Sequence, residues 1–321
     1  MRVFKHPFHF DPSYGYDLEQ LLAITPPPVP DDFVDFWQKR YLKILALHPL
    51  FTLGQCGSHA GYRIFDIEYQ STDDFKIGGW LLEPEHQEVR QCIIVGHGYG
   101  GRDQPDYHFN IPYTAFLFPC FRGLSRSRHQ SVSDQPSHHV LHHIDDPDRY
   151  IIGGCVDDLW LAVSIMLELY PKAGDRMGYM GISFGGGIGA LASPWDKRIQ
   201  RVHLNVPTFG HQPLRVKLPT IGSGAAVSDF VQKVGHMPDT LAYYDAAIAA
   251  RFAMQPVQFA VALFDPMVAP PGQFAIYNAW TGPKDLFVLD AGHFEYPRQV
   301  MQNQQLLWQL QAFYGESANY L

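Results

Sequence analysis

Apolar positions recur along this chain with two periods, and their alternation says most about its fold. Gln91-Cys92-Ile93-Ile94-Val95 is a continuous apolar run too short for a helix, the pattern of a strand buried on both faces. Phe116-Leu117-Phe118 with Cys120-Phe121, Arg176 to Met180, Arg201 to Val206, Val257 to Phe264 and Asp285 to Leu289 repeat it. Between them lie helical patterns. Gly154 to Tyr170 carries Val156, Leu159, Trp160, Val163, Leu167 and Tyr170 as an apolar stripe, Gly187 to Ala192 is a small-residue helix, and Pro297 to Phe313 is the last helix. Buried strands alternating with helices predict the α/β class, a mainly parallel sheet covered by helices on both faces.

The flanks read differently. Thr25-Pro26-Pro27-Pro28-Val29-Pro30 is a stiff extended connector, because consecutive prolines fix their backbone angles and donate no hydrogen bonds. Asp31 or Asp32 is placed to cap a helix in which Phe33, Phe36, Trp37, Tyr41, Ile44 and Leu45 share one face. Tyr62 to Gln70 and Phe75 to Leu82, joined through Thr72-Asp73-Asp74, predict an antiparallel hairpin at a sheet edge. Residues 207–250 are too long for a simple crossover and are expected to form a lid-like insertion. The reading is one domain over 1–321, with 1–45 as an N-terminal extension and helix.

Charge narrows the partners. The net charge is -8 and only 17% of residues are charged, so the basic excess that nucleic acid or an anionic membrane requires is missing. A small molecule is the expected ligand. The first ten residues have no apolar run of signal-peptide length, and no segment approaches the ~20 apolar residues of a membrane span, so a cytoplasmic protein is expected. Cys56, Cys92, Cys120 and Cys155 contain no Cys-x-x-Cys pair and are expected to be reduced and mostly buried. His138-His139-Val140-Leu141-His142-His143 would pair its histidines on a helix face but has no acidic or cysteine co-ligand within the tract. It reads as a solvated loop or interface segment, with no metal and no cofactor expected.

The chemistry sits in Gly181-Ile182-Ser183-Phe184-Gly185, a Gly-x-Ser-x-Gly following a predicted strand and opening a predicted helix. A serine on that turn needs an unusual backbone angle and side-chain-free neighbours, and the helix N-terminus behind it favours developing negative charge. A serine hydroxyl also needs a histidine to take its proton and a carboxylate to orient that histidine. Asp265 ends the strand Phe259 to Phe264, and His293 lies on the loop after Leu286 to Leu289, giving the order Ser, Asp, His. Asp290, three residues from His293, is a weaker candidate for the orienting carboxylate; Asp145, Asp157 and Asp158 lie upstream of the serine. The oxyanion donors are expected to be the backbone N–H groups of Phe184 and, in His97-Gly98-Tyr99-Gly100-Gly101, of Tyr99. Arg122 either braces the active-site loops or sits in a surface ion pair.

These pieces resemble the acetyl xylan esterase / cephalosporin C deacetylase family, carbohydrate esterase family 7. Similar segments are Thr25-Pro26-Pro27-Pro28 with Asp32-Phe33-Val34-Asp35-Phe36-Trp37, Tyr99-Gly100-Gly101-Arg102, the Ser183 elbow, Tyr243-Tyr244-Asp245-Ala246, and Asp265 through Pro270-Pro271 to Phe274-Ala275-Ile276-Tyr277-Asn278. The resemblance implies an α/β-hydrolase fold and a cofactor-free serine esterase that removes acetyl groups from small sugars or cephalosporin C-like compounds. It also implies a hexamer with enclosed active sites. Three departures stand out: Leu124 where the family has Gln, Phe184 where Gln is common, and Phe294 between His293 and Glu295. They keep open a different acyl ester or thioester, or a catalytically silent scaffold. Phe4, Phe8, Phe10 and Tyr14 are expected to bury against another subunit in a homo-oligomer, hexameric before dimeric.

Overall fold

The computed structural model describes residues 4–315, without the side chains of Gln55 and Cys56. The chain begins with α1 (Leu18–Leu22) and α2 (Phe33–Leu45), followed by β1 (Phe51–His59), β2 (Tyr62–Gln70), β3 (Lys76–Pro84), β4 (Gln91–Gly96) and β5 (Thr114–Pro119). Next come α3 (Pro136–His139), α4 (Ile151–Leu169), β6 (Met177–Ile182), α5 (Phe184–Ala192) and β7 (Ile199–Asn205). Four helices follow, α6 (Gln212–Arg215), α7 (Ser223–Val234), α8 (Thr240–Tyr243) and α9 (Ala246–Ala250), before β8 (Val257–Ala262), α10 (Pro270–Ala279), β9 (Lys284–Leu289) and α11 (Gln299–Gly315).

Among the described residues the strands form one sheet in the order β1-β2-β3-β5-β4-β6-β7-β8-β9. It is antiparallel from β1 to β5 and parallel from there to β9. The apolar runs explain the parallel part: every residue of β4, β5 and β8 is buried, because helices cover both faces. One apolar cluster fills the face under α4, α5, α9 and α10; a second lies under α11, around Leu306, Leu310 and Tyr314. No helix among the described residues is long and apolar enough to cross a membrane.

Several expectations need correcting. The β2–β3 hairpin is present but β1 lies outside it, so β1 is the edge. Asp32 precedes α2 without capping it; its carboxylate accepts from the Tyr243 hydroxyl at 2.6 Å instead. Leu45 is exposed rather than on the buried face. α4 is buried almost all round, because α2 covers the side a stripe would leave to water: Trp37 and Tyr41 pack on Trp160, and Arg40 forms a fork on Asp157 with both bonds at 2.7 Å. Of 207–250, the stretch α9 is wholly buried against α5 and α10 and belongs to the body. Cys92, Cys120 and Cys155 are free and buried, while the side chain of Cys56 lies outside the described residues.

Residues 4–11 form neither helix nor strand and lead into a turn at 12–15, with Phe4, His6, Phe8 and Phe10 half-buried and Lys5, Pro7 and His9 exposed. The rings pack on this chain's own loops: Phe4 against Phe264 at 5.0 Å and Phe294 at 5.8 Å, Phe8 against Phe294 at 6.0 Å, and Phe10 on Tyr14 at 5.9 Å. The Asp265 N–H donates to the Pro12 carbonyl at 3.0 Å, and the Tyr14 hydroxyl to the Pro219 carbonyl at 2.8 Å. The segment therefore ties the Asp265 loop to the 207–250 insertion.

Candidate active site

Ser183 occupies the turn from β6 into α5 at φ 55°, ψ -108°, a conformation side-chain-bearing residues rarely adopt. Two glycines permit it. A Cβ on Gly181 would lie 2.4 Å from the Gly185 carbonyl oxygen, and one on Gly185 would lie 2.6 Å from the Gly96 carbonyl carbon. The turn is held by main-chain bonds: Ser183 N–H to Asn205 at 2.8 Å, Gly185 N–H to His97 at 2.9 Å, and Thr208 N–H to Ser183 at 3.1 Å.

The three residues singled out by their order along the chain meet here. Ser183 Oγ lies 2.9 Å from His293 Nε2, and His293 Nδ1 lies 2.8 Å from Asp265 Oδ2. Asp265 is fully buried, and each carboxylate oxygen has two donors. The Met267 and Val268 N–H groups reach Oδ1 at 2.9 Å; Gln273 Nε2 reaches Oδ2 at 3.1 Å beside His293. Because Oδ2 only accepts, His293 carries its proton on Nδ1, which leaves Nε2 free to accept from the serine hydroxyl. Burial works against the charged imidazolium, but the charge and hydrogen bond of Asp265 outweigh it and hold the His293 pKa above its ordinary 6.5. Asp290 is engaged elsewhere, its carboxylate accepting two bonds from Arg298.

The Gly98–Tyr99 loop passes beside the serine; a Cβ on Gly98 would lie 3.8 Å from Ser183 Cβ. Neither the Tyr99 nor the Phe184 backbone N–H donates to a protein acceptor among the described residues, which leaves both available to an oxyanion. Their side chains stack, with ring centroids 4.1 Å apart at 29°. Leu124 and Phe184 are both buried, and Glu295 is exposed.

Arg122 braces rather than pairing at the surface: it is buried, holds Asp158 through Nε and Nη2, and donates to Ser71 and Thr72 at 2.9 Å. Residue-by-residue reading of the sequence missed three groups. Gln273 holds Asp265. His97 donates from Nδ1 to the Gly98 carbonyl at 2.6 Å and accepts from the Phe121 N–H at 3.0 Å, locking the loop; burial lowers its pKa to about 3, so it is neutral. The third is His139, which is buried rather than solvated. The helix of the histidine tract ends there, so positions 138/142 and 139/143 do not share one helix face. Among the described residues no group of three or more His, Cys, Asp or Glu is placed to hold a metal ion.

The family model described as acetyl xylan esterase matches residues 16–312. Among solved structures, the chain is similar to the acetyl xylan esterase from Paenibacillus sp. R4, at 23% identity and a TM-score of 0.79 over 93% of this chain and 100% of that one. It is also similar to acetyl xylan esterase 1 from Thermoanaerobacterium sp. JW/SL YS485, at 20% identity and a TM-score of 0.78 over 94% and 99%. A more distant likeness is to the acylaminoacyl peptidase of Pyrococcus horikoshii, at 14% identity and a TM-score of 0.62 over 81% of this chain and 43% of that one. The architecture is the α/β-hydrolase fold.

Proposed function

The chain belongs to the acetyl xylan esterase family, a serine hydrolase of acetyl esters, and from that premise we propose that Ser183, His293 and Asp265 carry the reaction. The observation behind this is the unbroken line of hydrogen bonds from Ser183 Oγ through His293 to Asp265, at 2.9 and 2.8 Å. Ser183 Oγ attacks the acetyl carbonyl carbon while its proton passes to His293 Nε2. The carbonyl electron pair moves onto oxygen, facing the N–H groups of Phe184 and Tyr99. Collapse expels the alcohol, which takes the proton from His293 and leaves an acetyl-serine ester. A water molecule, deprotonated by His293, attacks that ester; acetate leaves and Ser183 recovers its proton.

The proposed substrates are acetyl esters of small carbohydrates or cephalosporin C-like compounds, met in the cytoplasm. Leu124 and Phe184 support a small acyl group, since both are buried in the main apolar cluster rather than exposed along an open acyl cleft. With p-nitrophenyl acetate, butyrate and octanoate, kcat/KM is expected to fall with each lengthening. A rise with chain length would replace the acetyl reading by that of a longer-acyl esterase. Failure of a fluorophosphonate to label Ser183 would favour the silent scaffold.

We further propose a closed homo-oligomer, hexameric before dimeric, that narrows access to Ser183. The rings at 4–14 pack within their own chain, so its support is the apolar surface elsewhere: Leu42 and Leu50 are each 64% exposed and Trp308 61%. Light scattering on the full chain is expected to give an assembly larger than one subunit, and a monomer across the working concentration range would sink the idea.

A further inference from the structure

His139 moves no proton in the reaction above and comes from a histidine tract that the triad leaves unexplained, yet it is completely buried. Its Nε2 faces the Arg122 carbonyl oxygen at 2.9 Å. A carbonyl only accepts, so Nε2 carries the proton and donates. Burial lowers the pKa of this ring to about 4, so it is neutral and its Nδ1 is an acceptor. Nδ1 faces the Tyr99 hydroxyl at 3.0 Å, and the hydroxyl therefore donates to it. One imidazole thus joins, with fixed polarity, the turn after β5 to the loop after β4.

Both ends of this link are rigid. The Arg122 N–H donates to Asp158 Oδ2 at 3.0 Å, and its guanidinium holds the same carboxylate. Gly123 lets the ring approach: its φ is +80°, and a Cβ there would lie 3.0 Å from His139 Cδ2. At the other end the Tyr99 ring lies on Phe184, and the His139 ring meets both nearly edge-on, at 5.4 and 6.1 Å. Tyr99 and Phe184 are the two residues whose backbone N–H groups face the oxyanion in the reaction proposed above.

We propose that His139 is a positioning residue for the oxyanion site. By anchoring the Tyr99 hydroxyl to the Arg122 carbonyl, it fixes the Tyr99 ring on Phe184 and so sets the separation and aim of the two N–H donors. The proposal rests on the reading of Ser183 as nucleophile with these donors beside it.

Two full-chain variants test it. His139→Phe keeps a ring and removes both hydrogen bonds, whereas the carboxamide of His139→Gln keeps one donor and one acceptor. With p-nitrophenyl acetate, His139→Phe is expected to lower kcat by about tenfold to a hundredfold, less than the 10²–10³ lost with a whole donor, while KM stays within about threefold. His139→Gln is expected to recover to within about threefold of wild type. Affinity for a trifluoromethyl ketone analogue, whose serine adduct places an oxyanion in the same site, should fall in proportion to kcat/KM. All rates are taken per serine titrated with a fluorophosphonate, which separates positioning from loss of fold. If His139→Phe does not fold, Tyr99→Phe, which removes one hydroxyl, is expected to show the same loss. A kcat per titrated serine equal to wild type in the folded variant, or ketone affinity unchanged while kcat falls, overturns the proposal. A wild-type protein that neither hydrolyses the acetate nor takes up the fluorophosphonate overturns the esterase reading, and this proposal with it.

Discussion

Ser183→Ala is expected to lower p-nitrophenyl acetate hydrolysis by about four to six orders of magnitude, because only oxyanion and binding contributions survive the loss of a triad nucleophile. The fold should not follow. The elbow is held by the Ser183 N–H on Asn205 and by the Gly187 and Thr208 N–H groups on the Ser183 carbonyl, all of which alanine keeps. The positive φ costs serine and alanine alike. What disappears is one hydrogen bond to His293, worth about 0.5–1.5 kcal/mol. Thermal unfolding of the variant should therefore stay close to wild type while turnover collapses. Unchanged turnover would remove Ser183 from the mechanism; turnover lost only in step with the fold would remove the support for a chemical role.

The parts of this molecule that were legible in its sequence are those whose signal is local. β4, β5 and β8 lie between helices, so they carry unbroken apolar runs that need no partner to be recognised. The candidate site residues were legible because each stands where a strand ends, at Ser183 after β6, Asp265 after β8 and His293 after β9. What stayed hidden depends on distant chain. β1 contains Gly54 and Gly57 and is paired on one side only, so neither alternation nor an apolar run marks it. Asp157 and Asp158 make one side of α4 look solvated until Arg40 and Arg122 are seen to meet them. His138, His139, His142 and His143 are equivalent in a string of letters; His139 is distinguished by Gly123 and Tyr99, residues 16 and 40 positions away.

The surroundings of Asp265 decide what its neutral isostere would do. Asp265→Asn is expected to lower kcat by about 10³–10⁴, as when the orienting carboxylate of a triad is neutralised. Four N–H donors converge on Asp265, two backbone groups on Oδ1 and the side chains of Gln273 and His293 on Oδ2. An asparagine has one acceptor oxygen. Placing it at Oδ1 satisfies the Met267 and Val268 N–H groups, which cannot move without moving the loop. The amide nitrogen then occupies the Oδ2 position and donates toward His293. That selects the imidazole with Nδ1 unprotonated and Nε2 protonated, a tautomer that cannot accept the Ser183 proton. The pH profile carries a second signature. In the wild type Asp265 holds the His293 pKa above 6.5, and the base must be neutral to work, so kcat/KM should fall as pH drops through a midpoint above that value. Without the carboxylate charge, burial is the influence that remains and it lowers the pKa, so the acid limb of the variant should move to lower pH even as its plateau falls. Asp290→Asn is the control: its carboxylate is taken by Arg298, so kcat should stay within about threefold of wild type and the acid limb should not move. A profile for Asp265→Asn that keeps both its plateau and its midpoint, with the loss appearing in Asp290→Asn instead, would transfer the orienting role to Asp290.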